Sequence, residues 1–250
     1  MIELSLEEIE SIFVTSDLHL NHKNIIKYCN RPWEFSDKGL EEMNHFLISN
    51  LMQIPAGCTL LNLGDWAMLS HGDTNPFMVR NVIADLLKNG VSVITILGNH
   101  DRIFVKNAGE KEIDSVKLDE IFLQKNDDTG ASSVWYSGLE PVLLNGKYIL
   151  SHEPVFIKDE SKLNLHGHIH NSPLHHKEEW NQCVNEKLVW NYVNCCADVH
   201  DYKPVMMGFF NGFTGGGSVE DVVFSDKAMK LLAEALEIPP EPNDNLKELF

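Results

Sequence analysis

The sequence predicts an α/β protein, with a helix-covered parallel sheet and a second sheet packed on it. Two observations predict this. In the first half, three short, apolar, β-branched runs alternate with stretches of helical periodicity, which is the βαβαβ pattern. In the second half, a hairpin signal is followed by several further short strands.

SIFVTS at 11–16, CTLLNL at 58–63 and VSVITIL at 91–97 read as buried strands. Between the first two, residues 36–52 place Leu40, Met43, Leu47 and Leu51 at helical spacing. Between the second and third, Asn75-Pro76 reads as an N-cap followed by proline at the first helical position. Val79, Val82, Ile83, Leu86 and Leu87 form that helix's apolar stripe, and Gly90 fits its C-terminal stop. Residues 106–130 are polar and ambiguous. Asn145-Gly146 joins two apolar runs as a hairpin. Further short strands fit 164–167, 188–194 and 205–210. The glycines at 215–217 read as a loop, 226–236 as a terminal helix, and IPPEPND as an extended tail. Residues 1–250 are therefore expected to form one domain ending in a helix and tail from about 226 to 250. No internal repeat is visible.

Hydrophobic content of 43% and charged content of 23% are ordinary for a globular chain. No apolar run approaches membrane-spanning length, and the acidic, amphipathic start MIELSLEEIE does not resemble a secretory signal. Five cysteines without paired metal spacing are expected to be reduced thiols of a cytoplasmic protein. The net charge of −17 argues against a surface that tracks long DNA or RNA, because such surfaces bind phosphates through Lys and Arg. A small phosphate ester is not excluded, since two divalent ions would carry a local charge of about +4. The charge is silent on oligomeric state.

Metal-ligand residue types recur in order at the strand ends. They are Asp17 and His19 in SDLHL, Asp65 in LGDW, Asn99 and His100 in LGNHD, His152 in SHEP, and His168 and His170 in HGHIH. Carboxylate, amide oxygen and imidazole together suit Mn²⁺, Fe²⁺, Ni²⁺ or Zn²⁺ better than Ca²⁺ or Mg²⁺. In an extended segment, residues two apart point to one side, so Asp17 and His19 are expected to reach one ion. Gly98 is expected to let the backbone turn tightly before Asn99. A lone histidine is usually structural, but here five would have to be structural at once.

These motifs, in this order, resemble the calcineurin-like metallophosphoesterase superfamily from about residue 12 to residue 204. The resemblance implies a four-layer α/β-β/α sandwich, with two packed mixed β-sheets flanked by helices and the metals at its edge. It also implies that one metal takes Asp17, His19, Asp65 and His170, and the other Asp65, Asn99, His152 and His168, with Asp65 as the bridge. Mn²⁺ is the favoured ion, with Fe, Ni or Zn as the other candidates. Two ions roughly 3.5–4 Å apart activate a bridging water and clamp phosphoryl oxygens for in-line displacement. His100 is left to face the substrate and protonate the leaving oxygen, and Asp101 to hold His100 in one tautomer. His22, Arg31 and Arg102 are candidates for substrate binding. Trp33, Trp66 and Tyr28 read as packing residues, and His175 and His176 as solvated.

A narrower resemblance, to small bacterial and phage-encoded members, lies in DLHLNHKNIIKYCNRP and in Asp198, Tyr202 and Pro204 of DVHDYKP. The GD-x-x-DRG pattern of the superfamily's protein phosphatases is absent, and the third motif ends in Asp rather than Glu. Both departures favour the phosphodiesterase and nuclease branches. The expected activity is hydrolysis of a small, nucleotide-like phosphodiester. A phosphomonoesterase, then a nuclease, then a catalytically silent metal-binding scaffold are the rivals.

Overall fold

The computed structural model describes residues 9–68, 77–101, 115–172 and 190–212. The three predicted buried strands form as β1 (Ile12–Thr15), β2 (Thr59–Asn62) and β3 (Ser92–Ile96). They pair in parallel, β1 with β2 and β2 with β3. A fourth parallel strand, β4 (Ser133–Tyr136), adds to β3. It went unread because ASSVWYSG is polar and Val134 lies on an open face, so no apolar run marks it. The hairpin is β5 (Val142–Leu144) and β6 (Tyr148–Leu150), with Asn145 at φ 48° and Gly146 at φ 63°, both left-handed as this turn requires. β7 (Leu163–His166) and β8 (Tyr192–Asn194) continue that sheet in parallel. β9 (Val205–Met206) returns antiparallel to β1. The two sheets are thus β4-β3-β2-β1-β9 and β5-β6-β7-β8, both mixed, in the expected α/β architecture.

The helices are α1 (Ile25–Tyr28), α2 (Asp37–Leu51), α3 (Phe77–Lys88) and α4 (Ser115–Phe122). Ser36 caps α2 by accepting the Gly39 N–H at 3.1 Å. The stripe residues Met43, Leu47 and Leu51 are fully buried, each stabilising the fold by about 1.5–3 kcal/mol. Gly90, at φ 79°, ends the α3 segment as read. α4 lies within the stretch that the sequence left ambiguous.

Strand alternation separates two cores. Ile12, Val14, Leu61 and Ile96 pack with Leu144, Tyr148, Leu150, Leu163 and Leu165 between the sheets. Phe13, Leu60 and Val93 face the other way, onto α2 and α3. The strand expected over 205–210 stops at Met206, and residues from Met207 to Gly212 turn into a 3₁₀ helix. Met207 and Phe210, three apart, then fall on one side and fill the inter-sheet core.

Asn75-Pro76, 215–217 and the C-terminal helix and tail lie outside the described residues. Among the described residues, no helix is long and apolar enough to cross a membrane. Cys29, Cys58, Cys195 and Cys196 are buried thiols outside any disulfide.

Candidate metal centre

Parallel pairing sends the C-terminal ends of β1, β2 and β3 to one edge, where open α/β sheets gather their ligands. The chains stay joined past the strands. Asp17 N–H donates to Gly64 O at 2.9 Å, His19 N–H to Asp65 O at 3.0 Å, and Leu20 N–H to Trp66 O at 2.9 Å. The second sheet joins them where His168 N–H donates to Asp17 Oδ2 at 2.8 Å.

The backbone there is not extended, as the reading of Asp17 and His19 assumed. Asp17, His19, Asp65, His168 and His170 have φ of 56°, 50°, 57°, 70° and 50°. Each left-handed residue of this kind costs of order 1–3 kcal/mol, and such residues gather at functional sites. Gly98 is needed for a different reason from the one expected. It has no positive φ, but a Cβ there would collide with Asp65 Oδ1 and the Asp65 backbone. Gly98→Ala is therefore expected to destabilise the fold by about 1–3 kcal/mol and to weaken metal loading, read by melting temperature and metal analysis.

Two sets of ligand atoms converge. In the first, His19 Nε2 lies 3.7 Å from Asp17 Oδ1 and 3.6 Å from Asp65 Oδ2, and His170 Nε2 lies 3.6 Å from Asp17 Oδ1. In the second, His152 Nε2 lies 3.4 Å from Asp65 Oδ2 and 2.9 Å from Asn99 Oδ1. His168 Nδ1 lies 3.1 Å from Asn99 Oδ1 and 3.3 Å from His152 Nε2. Ligands about 2.1 Å from one ion stand about 3–4 Å apart, so each set could hold a metal. Asp65 Oδ2 belongs to both.

The protein chemistry fits a cation. Asp17 Oδ2 accepts from Ser16 Oγ (2.6 Å), His168 N and Cys196 Sγ (3.2 Å). Asp17 Oδ1 and His19 Nε2, both buried, have no hydrogen-bond partner. Burying such groups unpaired is costly unless an ion sits between them. The rings are also aimed. His152 Nδ1 donates to Leu63 O at 2.8 Å and His170 Nδ1 to Asp198 Oδ2 at 2.8 Å, which turns both Nε2 atoms to the site.

Without metal, protons take the cation's place. Burial opposes charge on His152, but Asp65 and Asp17 outweigh it and raise the ring to about 9. Burial also opposes charge on His170, which Asp198, Cys29 and Asp17 push up to about 10. Both rings bind protons more tightly folded than unfolded. Their stabilisation is full below the ordinary value of 6.5 and is lost as pH rises through these values. The melting temperature of EDTA-treated protein is expected to fall from about pH 7 to 9, with the gain on adding Mn²⁺ growing over that range. A metal-free melting temperature that climbs across this window contradicts the arrangement.

Other predicted site residues are placed differently. Asp101 does not hold His100. Its buried carboxylate accepts Asp65 N–H (2.7 Å), Gly98 N–H (2.9 Å) and Trp66 N–H (2.9 Å), tying the second ligand corner to the third. Burial and Asp65 push it up to about 7, against those three donors. His100 donates its backbone N–H to Asp65 Oδ1 at 2.8 Å, and its ring Nε2 lies 3.8 Å from Asp65 Oδ2. Its Nδ1 is buried without a partner.

Arg31 is not open to substrate either. It is 4% exposed, and Asp198, Asp17 O, Leu18 O and Met43 Sδ take all its N–H groups. His22 stands behind His19, with Nδ1 atoms 3.2 Å apart, and its ring centroid is 6.0 Å from that of His100. Arg102, His175 and His176 lie outside the described residues. Trp66 is core, its Nε1 donating to Thr95 Oγ1, and Trp33 packs on Tyr202. Tyr28, by contrast, is 73% exposed. Asp198 was missed as a site residue. It lies in one stretch singled out in the sequence and Arg31 in the other, but nothing in the sequence pairs them.

Comparison with known families now decides the class. The profile described as calcineurin-like phosphoesterase matches residues 11–193. The chain belongs to this family. The family comprises metal-dependent phosphoric ester hydrolases with a dinuclear centre. The uncharacterized protein MJ1445 of Methanocaldococcus jannaschii is 30% identical over 203 residues, which is 78% of this chain and 86% of its own. Among solved structures, the protein of unknown function AQ665 from Aquifex aeolicus is 21% identical with a TM-score of 0.46, over 78% of this chain and 94% of its own. The Pseudomonas putida nuclease MPE is 21% identical with a TM-score of 0.37, over 65% of this chain and 63% of its own.

Proposed function

We propose that this chain hydrolyses a small, nucleotide-like phosphodiester at a dinuclear centre. One ion is held by Asp17, His19, Asp65 and His170, and the other by Asp65, Asn99, His152 and His168. The observation that carries the reading is the convergence of both ligand sets on Asp65 Oδ2. Mn²⁺ is the favoured ion for this nitrogen and oxygen donor mixture, with Fe, Ni or Zn as alternatives. When bound, the ions would activate water and neutralise phosphoryl charge. The chain's own residues do the rest. His100 offers a ring nitrogen beside the bridging carboxylate and protonates the leaving oxygen, and His22 flanks the same mouth. Asp101 holds two ligand corners at fixed spacing.

The diester preference is supported by the charges that the described residues set around the site. A monoester carries one more negative charge near neutrality. Among the described residues, the arginine beside the ligands, Arg31, is engaged internally, and the exposed carboxylate of Glu153 stands near His168. The net charge of −17 adds repulsion against long polyanions. The Mn²⁺-loaded protein is expected to cleave bis-p-nitrophenyl phosphate faster than p-nitrophenyl phosphate, and short substrates with little salt dependence. Faster monoester cleavage reverses the preference. Efficient, steeply salt-sensitive degradation of long DNA replaces this reading with a nuclease.

A further inference from the structure

Each ion site draws its ligands from both sheets, and one of them takes a single histidine from the second sheet. Asp17, His19 and Asp65 follow β1 and β2, whereas His170 follows β7. Something must hold His170 against the other three, and its own left-handed backbone, at φ 50°, does not favour the position.

The clamp is visible in hydrogen bonds. Asp198, in the 3₁₀ turn Ala197–Val199 after β8, accepts His170 Nδ1–H on Oδ2 at 2.8 Å. Arg31 grips the same carboxylate with two arms, Nε to Oδ1 at 2.8 Å and Nη2 to Oδ2 at 3.0 Å. Its remaining N–H groups reach Asp17 O (2.8 Å), Leu18 O (2.9 Å) and Met43 Sδ (3.5 Å). One guanidinium therefore joins the backbone of the first ligand corner to the carboxylate that aims the last ligand. The pair is dry, with side-chain exposures of 0% and 1%. Struts run alongside it: Ala197 N–H to Ser16 O, Asn194 Nδ2 to His170 O, and Asn171 Nδ2 to Cys29 O.

We propose that Arg31 and Asp198 are positioning residues forming a latch that assembles the ion site of Asp17, His19, Asp65 and His170 and bears on the other ion site only indirectly, through Asp17, which accepts the His168 N–H, and the shared Asp65. This rests on the two-ion reading above. The second site is aimed differently, with His152 held by the Leu63 carbonyl rather than by any group of the latch. Loss of the latch must therefore be felt far more by one ion than by the other. Arginine is required because only its planar fork fills two carboxylate oxygens and two carbonyls together.

The test is calorimetric Mn²⁺ titration of the metal-stripped full chain as wild type, Asp198→Asn and Arg31→Lys, with Asn99→Ala as the mirror case. Wild type is expected to bind two ions. Asp198→Asn should keep one near wild-type affinity and bind the other about 10–100-fold more weakly. Excess Mn²⁺ should restore kcat while KM for the bis ester stays near wild type, which a merely unfolded variant would not do. Equal weakening of both ions, or of neither, overturns the latch. Asp198→Asn leaves a buried cation without its counter-charge and so can fail to fold. Arg31→Lys keeps both charges, and two wild-type affinities in that variant overturn the proposal by themselves. A wild type that binds one ion at saturation overturns the two-ion reading and the latch with it.

Discussion

Asp65→Asn is expected to weaken both metal ions together and to lower turnover by roughly 10³-fold or more, the loss expected when several kcal/mol of transition-state stabilisation goes. The reason is the geometry of one carboxylate. Oδ1 accepts the His100 backbone N–H at 2.8 Å, and Oδ2 alone faces His19 and His152, at 3.6 and 3.4 Å. In an asparagine the carbonyl oxygen keeps the bond to that N–H, so the NH₂ group turns toward the ligand atoms. An amide nitrogen carries no lone pair for a metal. The substitution adds no volume and leaves the strand end in place, so circular dichroism of the metal-free protein should stay native. Metal analysis under saturating Mn²⁺ should fall from two ions per chain toward none. A variant that retains one tight ion would remove Asp65 from the bridging role.

The second large effect is kinetic. His100→Ala is expected to bind both ions and fold normally but to turn over about 10²–10⁴-fold more slowly, the usual contribution of a general acid–base group. The structure offers a rival. His19, Asp65 and His100 also lie close enough to hold one ion. Two observations favour the acid role. His19 Nε2 already faces Asp17 and His170, and the His100 side chain, 24% exposed against 18% for His170 and 1% for His19 and His152, is the most open of these rings. A group that meets substrate must be reachable. The loss should shrink for leaving groups that need no proton, such as p-nitrophenolate, and widen for alkoxides. Loss of an ion in His100→Ala would instead make this residue a ligand.

The order of ligand types was legible in the sequence because each ligand follows a strand, and strands announce themselves as apolar, β-branched runs. Asp17, Asp65, Asn99, His152 and His168 all stand within three residues of a strand end. The βαβαβ half was legible for the same reason, as was the Asn145-Gly146 turn, whose chemistry is local. β4 and α4 were not legible, because polar edge elements owe their place to neighbours rather than to their own pattern. Which atom of each ligand meets which could not be read either. The left-handed backbone of five candidate ligand residues replaced the extended one assumed from spacing, and Gly98 proved to serve close approach rather than a turn.

By itself, then, the sequence determined the family and with it the class of chemistry, together with the candidate ligand types, their order, and the sheet edge that collects them. The tertiary structure alone decided which charged residues are free to act. Arg31 and Asp198 lie 167 residues apart, and Asp101 reaches back 36 residues to Asp65. Arg31 looks in sequence like a group awaiting substrate and Asp101 like the partner of His100, and each is consumed by a partner that only folding brings near. Burial excludes water, so a buried charge must find its compensation inside the protein, and sequence spacing carries no record of which distant group supplies it.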